Sequence, residues 1–450
     1  MHLTNKFALG ALALGLVTSS STTAHAQEAV IARIVGENSF DAEAVNTLEG
    51  TGFTLADGAQ LHLSIGIRGG ASDNVFFESS DENPTGAGIM GLVGTMYITN
   101  DVATAEDMGE LGGEITPRSI HFRGGLRGRY NEFLSGNDDV QDQRNLNLDA
   151  LADVVVLPGG PVSFLASDRL IRDQRSPNLE DSSTLRRLDN RLRLGLQFHP
   201  ESSTISGTIS YENWVNMFEN DGPSQFSDRM NQTVRAQLAW QWRPMTNFVA
   251  DVSYGFFGPI GDGEFMGMPF KTDSQPFSAR IGMATLLSEM TTLKVHGGYT
   301  RASYEVGQGY SAPVAGIELG YRWATTGRVL FQYDYDHFDS VNANFYRDHR
   351  FALRAVQALG NVVLDGGPEV ALRHFGGIPM VLGEPERDDI VVRARARAQL
   401  LFAEKFSVSA EYLLGLVETD YRANNLGAGS GMDDPSFVRN ELFVGVRAAY

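Results

Sequence analysis

The chain contains no cysteine, only 4 tryptophans in 450 residues, and fewer basic than acidic residues, 36 against 55. The absence of cysteine excludes disulfide frameworks, thiolate metal sites and cysteine nucleophiles. The formal net charge of −19 argues against a nucleic-acid partner, because phosphate binding needs a basic face. No segment of the mature chain approaches ~18 consecutive apolar residues, which excludes membrane-spanning helices.

Glycine is abundant, with 49 residues in 450, and it shows no collagen periodicity. The mean hydropathy of −0.17 is typical of a soluble protein, and the length alone would suggest two or three domains. Both impressions depend on how the apolar residues are distributed along the chain.

The N-terminus has the pattern of a secretory signal peptide. Lys6 precedes an uncharged run, Phe7–Val17, and Ala24–Ala26 supplies an A-x-A cleavage pattern. The alternative, a membrane anchor, is disfavoured because this run is too short to cross ~30 Å of hydrocarbon as a helix. We therefore predict a signal peptide over residues 1–26, cleavage after Ala26, and export of the mature protein.

Most of the mature chain alternates between apolar and polar residues with the period of a β-strand. In Asp189–Phe198, leucines alternate with Arg191 and Arg193, and Val391–Leu400 alternates alanine with Arg393, Arg395 and Arg397. Short turns such as 243–246 also alternate with long polar loops such as 259–275. This rhythm predicts an all-β fold, a single transmembrane antiparallel β-barrel over residues 59–450.

The alternation allows the strands to be counted. The predicted strands start near residues 59, 86, 118, 143, 161, 188, 203, 229, 246, 275, 291, 313, 327, 344, 360, 388, 405 and 437. This makes about 18 strands, with 16 as the alternative because the second and fifteenth alternate least clearly. Residues 27–58 do not alternate and are interpreted as a periplasmic or lumen-tucked segment, or as a poorly ordered lead.

Many arginines fall on the face opposite the apolar one. An arginine near the middle of the lipid-facing surface would cost ~2–4 kcal/mol, so these side chains are expected to line the lumen. The pore-lining candidates form three clusters: Arg123, Arg127 and Arg129; Arg191 and Arg193; and Arg393, Arg395 and Arg397. They either create a field that favours anions or form ion pairs that brace the wall. The expected ion-pair partners are Asp149, Asp153, Asp251, Glu318, Asp334, Asp336, Glu411 and Glu441.

Other chemistry has little support in the sequence. Gly86–Gly91 matches G-x-G-x-x-G without a strand–helix context, and no G-x-S-x-G, H-E-x-x-H or P-loop motif occurs. We expect no enzyme, cofactor or metal site, although spacing alone does not test a Ser–His or Asp–His hydrolase constellation. Asp138, Asp139 and Asp142 are interpreted as a solvated loop, with calcium binding as the alternative.

Both ends of the predicted barrel resemble known proteins. The alternating C-terminal strand ends in Tyr450, which resembles the assembly signal of bacterial outer-membrane barrels. Leu61–Ile67 followed by Asp73–Phe77 (DNVFF) resembles the start of the second family of outer-membrane β-barrel porins, a family associated with export of cell-surface polysaccharide.

This resemblance implies a location in the outer membrane of a Gram-negative cell. The partners that it implies are outer-membrane lipid, the barrel-assembly machinery, periplasmic export components and polysaccharide. The expected function is an outer-membrane channel that serves as the exit pore of polysaccharide export. A general diffusion porin and a structural component of a motility or envelope machine are the alternatives.

Overall fold

The computed structural model describes residues 52–55, 59–79, 83–100, 119–158, 160–174, 179–180, 186–200, 203–219, 227–261, 263–265, 267–324, 326–379, 382–402, 405–424 and 432–450. The predicted signal peptide, its cleavage site and most of segment 27–58 lie outside these residues. No helix in the described part of the chain is long and apolar enough to span a membrane.

The described residues form eighteen long strands. They are β1 Gln60–Ser72, β2 Ala87–Thr99, β3 Ile120–Leu134, β4 Asn145–Val156, β5 Val162–Asp173, β6 Arg187–Phe198, β7 Ile205–Phe218, β8 Arg229–Arg243, β9 Thr246–Pro259, β10 Ser274–Ser288, β11 Thr291–Tyr304, β12 Tyr310–Ala324, β13 Gly327–Asp339, β14 Phe345–Leu359, β15 Val362–Gly376, β16 Asp388–Phe402, β17 Phe406–Thr419 and β18 Phe437–Ala449. Each strand pairs antiparallel with the next, and β1 also pairs with β18. The sheet is therefore a closed barrel, as the alternation predicted.

The predicted count of eighteen is confirmed. The predicted start deviates most for the twelfth strand, which begins at Tyr310 rather than near residue 313. The two strands with the weakest alternation, β2 and β15, each pair along both edges. Their glycine content hides the alternation in the sequence, while the neighbouring strands supply the hydrogen bonds that hold them in the sheet.

The outer face of the barrel is apolar. Ile281 is 72% exposed and Leu442 is 56% exposed, whereas the adjacent Arg280 and Glu441 are largely buried. Large aromatic side chains, including Trp240, Trp242 and Tyr321, are exposed on the same outer face. An apolar surface of this extent around a barrel is one that lipid covers.

The two rims of the barrel differ, although less strictly than predicted. The short-turn rim carries the turns 244–245, 289–290 and 360–361, and the last residue, Tyr450, also lies there. It also carries the 100–119 connection between β2 and β3, which is long. On the opposite long-loop rim, the connections 305–309 and 340–344 are short.

A few small elements complete the described structure. They are a two-residue strand Phe53–Thr54, the pairs Glu264–Phe265 with Met268–Pro269 and Ala423–Asn424 with Met432–Asp433, and a helix Asp138–Gln141. Asp138 and Asp139 lie in the first turn of this helix, which Asn137 caps. Within the described part of the chain, no group of three or more acidic or histidine side chains is placed to hold a metal ion.

Candidate functional site: an arginine-lined lumen with a narrowed mouth

Inward-facing arginines concentrate on one part of the wall. Arg127 and Arg129 lie on β3, and Arg127 is within electrostatic range of Arg129, Arg447 and Arg397. Arg447 of β18 donates from Nη2 to Thr95 Oγ1 at 2.9 Å, and Thr95 is the register partner of Arg127. This positive wall, defined by Arg127, Arg129, Arg397 and Arg447, spans β3, β2, β1 and β18 and extends to β16.

Members of the three predicted clusters also contact acidic or polar side chains. Arg123 pairs with Asp153, and Arg393 pairs with Glu369. Arg395 Nη2 lies 2.6 Å from Glu411 Oε1, and Arg397 Nη2 donates to Gln399 Oε1 at 3.1 Å. Asp189 accepts from Arg191, whose guanidinium lies over the ring of Trp214, and Arg193 stands opposite Glu212 in the register. The cluster members outside the positive wall therefore lie at sites of mixed charge, and within the wall Asp149 stands opposite Arg127 and Glu411 opposite Arg397.

All eight acidic residues expected to neutralise arginines form ion pairs. Five of them pair with arginines that the alternation places on the face opposite the apolar one: Asp153 with Arg123, Asp251 with Arg235, Asp334 with Arg350, Asp336 with Arg280 and Glu411 with Arg395. The other three pair with residues that the sequence had not singled out: Asp149 with Arg169, Glu318 with Lys294 and Glu441 with Arg439. Spacing along one strand predicts the face of a side chain, but its cross-strand partner depends on the register.

The connection between β1 and β2 folds into the barrel. Asn74 is fully buried, and its amide donates to Glu78 O at 2.7 Å and to Val438 O at 3.1 Å, which turns the chain inward. Phe77 then packs edge-on against Phe437, with ring centroids 5.1 Å apart. An apolar cluster therefore forms inside the long-loop end of the barrel, where an open pore would hold water.

The connection between β5 and β6 also reaches into the barrel. Leu179 packs on the cluster around Phe77 and Phe437. The next residue, Glu180, is fully buried, and its carboxylate accepts hydrogen bonds from Val341 N at 2.7 Å and Asn342 N at 3.0 Å. Since β5 and β13 lie far apart around the barrel, this contact crosses the lumen.

A second set of contacts reaches the same 340–344 loop from β8 and from the connection between β9 and β10. Lys271 Nζ donates to Ala343 O at 2.6 Å, and Arg229 Nη1 donates to Ser340 O at 3.1 Å. Arg229 also pairs with Asp339 at 2.8 Å. Burial of Lys271 lowers the pKa of its ammonium group to about 8. The mouth on the long-loop side is thus narrowed by loops that meet over the lumen.

Sequence reasoning missed Asn74, Glu180 and Lys271 as determinants of the mouth. Asn74 was noted only within the DNVFF motif, and the other two lie in polar loops without periodicity. A single acidic or basic residue in such a loop carries no local signal, because its partners are far away in the chain.

Comparison with solved structures finds barrels of similar architecture. The structure of Pseudomonas aeruginosa OpdK with vanillate has a TM-score of 0.45 and 8% identity, and the match covers 88% of this chain and 100% of that one. Pseudomonas aeruginosa OccK2 (OpdF) has a TM-score of 0.44 and 10% identity over 88% of this chain and 99% of that one. Acinetobacter baumannii OccAB4 has a TM-score of 0.41 and 9% identity over 87% and 98%, respectively.

No protein-family model matches the chain. No curated protein matches it either. The fold class, a closed antiparallel barrel of eighteen described strands, rests on the strand pairing itself.

Proposed function

We propose that the chain is an outer-membrane diffusion channel that favours small anions. The observation that carries this proposal is the contrast between the two faces of the barrel: an apolar outer face and an inner face lined by the positive wall. A closed barrel with an even number of strands is the form that single-chain bacterial outer-membrane proteins take. A barrel of 16–18 strands is wide enough to leave an aqueous channel.

Anion preference follows from the field of the positive wall. Each arginine keeps its charge at any physiological pH, and a low-dielectric wall screens it less than bulk water does. Arg127 has three arginines and one carboxylate, Asp149, among its strongest electrostatic neighbours. Anions should therefore be enriched along this part of the lumen, while arginines in ion pairs such as Arg123 with Asp153 mainly brace the barrel.

Reversal potentials in planar bilayers under a KCl gradient test this proposal. We expect the wild-type channel to prefer chloride, and the double variant Arg127→Ala with Arg129→Ala to lose most of this preference. The matched control is Arg301→Ala. In β11 Thr300 is buried and the next residue, Arg301, is exposed, so the side chain of Arg301 lies on the outer face and does not line the lumen. Cation selectivity of the wild-type channel, or equal selectivity of the double variant, contradicts the proposal.

The resemblance of Asp73–Phe77 (DNVFF) to the second family of outer-membrane porins suggested a more specific function, polysaccharide export. The contacts of these residues do not favour it. Asp73 accepts hydrogen bonds from Asn440, and Asn74 turns the chain into the barrel, so both residues have a local role. Diffusion of small solutes is therefore our main proposal. A deletion strain that loses its surface polysaccharide would restore export as the function.

A further inference from the structure

The barrel wall is interrupted between β12 and β13 on the long-loop side. Pairing of these strands runs from Ala324 with Gly327 only as far as Ala315 with Tyr335. Beyond that point, residues 310–314 of β12 pair only with β11, and residues 336–339 of β13 pair only with β14. The end of the β13–β14 hairpin therefore has no backbone ladder to β12.

The backbone groups at this edge do not extend the hydrogen-bond ladder between β12 and β13. Arg322 N donates to Met290 O on the β11 side, so the odd-numbered amides of β12 face β13. In the established register, the next hydrogen-bonded pair would join Pro313 to His337. Proline has no N–H to donate. The N–H of His337 is already bound by its neighbour, Asp336 Oδ1, at 2.8 Å.

Aromatic rings fill the gap without closing the ladder. The ring of Tyr310 stacks on His337 with centroids 4.5 Å apart, and it meets Phe345 edge-on at 4.9 Å. Rings in contact can slide apart without breaking backbone hydrogen bonds. Asn344 links the hairpin end to the neighbouring β11–β12 connection: it accepts from Tyr304 Oη at 2.9 Å and donates from Nδ2 to Val306 O and Gln308 O at 3.0 Å each. These side-chain contacts leave the backbone ladder between β12 and β13 open.

The tip of the same hairpin is held inside the lumen by polar contacts. Glu180 accepts from the hydroxyl of Ser340 as well as from the amides of Val341 and Asn342. Lys271 donates to two carbonyls of the loop, and Ser227 Oγ donates to Val341 O at 2.7 Å. Water in the lumen can replace each of these hydrogen bonds, so the loop can leave this position without leaving polar groups unsatisfied.

We propose that the β13–β14 hairpin is a gate of the channel and that Glu180 is its latch. In the latched state described here, loop 340–344 lies across the mouth. Release of Glu180 lets loop 340–344 move out of the lumen, and this movement widens the passage. This inference rests on the proposed channel function, and it adds a means by which the channel is regulated.

The first test is single-channel recording of Glu180→Gln in planar bilayers. Loss of the negative charge weakens the hydrogen bonds from loop 340–344, and we expect the open fraction or the mean conductance to rise at least twofold. Glu219→Gln is the matched control, since Glu219 lies at the same rim and pairs with Arg172 instead of the loop. It should behave like the wild-type channel.

The second test restores the latch covalently. The chain has no cysteine, so Glu180→Cys with Ser340→Cys supplies a unique pair for a short, reducible bis-methanethiosulfonate cross-linker. We expect the unlinked double variant to conduct like Glu180→Gln, the cross-link to lower its conductance, and reduction to reverse that change. Folding of each variant is verified by heat-resistant migration in gel electrophoresis.

The outcomes separate the two proposals. If the wild-type protein and all variants fail to conduct, the channel function itself is wrong. If the wild-type protein conducts but neither Glu180→Gln nor the cross-link changes the conductance or the open fraction, the gate is wrong and the channel stands.

Discussion

Arg373 and Asp348 form a bidentate ion pair between β15 and β14, with Nε–Oδ1 and Nη2–Oδ2 distances of 2.9 Å each. Their side chains are 3% and 5% exposed, and the guanidinium carbon lies 4.1 Å from the centre of the Tyr346 ring. The pair is therefore buried and bidentate, whereas the pair of Arg169 with Asp149 is exposed.

Asp348→Asn is expected to destabilise the barrel by about 3–5 kcal/mol, because it leaves the buried charge of Arg373 without a partner. Denaturant unfolding of the protein in lipid vesicles measures this loss. The control Asp149→Asn removes the partner of a partly exposed arginine and should cost about 0–1 kcal/mol. Equal losses for the two variants would contradict the difference in burial.

Gly367→Ala is expected to prevent correct pairing of β14 with β15. A Cβ atom at this position would lie 1.7 Å from the carbonyl oxygen of Leu353, so the backbone itself would have to move. The fraction of protein that migrates as a heat-resistant folded species should fall sharply. Gly94→Ala is the control, since no atom lies within 4 Å of the added Cβ, and its yield should match the wild type.

The latch is expected to close more firmly as the pH rises. Burial lowers the pKa of Lys271 to about 8, whereas a solvated lysine titrates near 10.4. Between these values the open state, with Lys271 solvated, binds more protons than the latched state, so raising the pH favours the latched state. The facing carboxylates of Asp339 and Glu180 raise the pKa of Lys271 and the guanidinium of Arg229 lowers it, but burial is the largest effect.

Open fractions recorded at pH 7 and pH 10 measure this effect. We expect a several-fold decrease in the open fraction at the higher pH for the wild-type channel. Lys271→Met has no titrating amine at this position and should show little change over the same range. An open fraction that rises with pH in the wild type alone would mean that solvation of Lys271 does not accompany opening.

Tyr450→Ala is expected to lower assembly of the barrel several-fold. The substitution removes the ring, whose centroid lies 4.2 Å from that of Phe53, and leaves in place the backbone hydrogen bonds of 2.8 and 3.0 Å with Leu63. Reconstitution with purified barrel-assembly machinery in vesicles, followed by gel migration, measures the folded yield. Tyr299→Ala removes another outward tyrosine, 43% exposed against 41% for Tyr450, and should assemble normally. Equal yields would argue against a role for Tyr450 as an assembly signal.

Much of the barrel could be predicted from local pattern. The alternation in Asp189–Phe198 and Val391–Leu400 predicted strands β6 and β16 because a strand places successive side chains on opposite faces. The same pattern predicted that Arg191 and Arg393 lie opposite the apolar face. Alternation failed to show the limits of β12, which extends to Tyr310 because β11 pairs with it beyond Pro313.

The sequence by itself determined the fold class, and it predicted about 18 strands and an inward face for the arginine clusters, since these depend on neighbours along one strand. Only the tertiary structure decided which arginines keep a positive wall and which loops narrow the mouth. Those outcomes depend on contacts between residues far apart in the chain, such as Arg447 with Thr95 and Glu180 with Val341. No local periodicity encodes such contacts, because closure of the barrel brings their partners together.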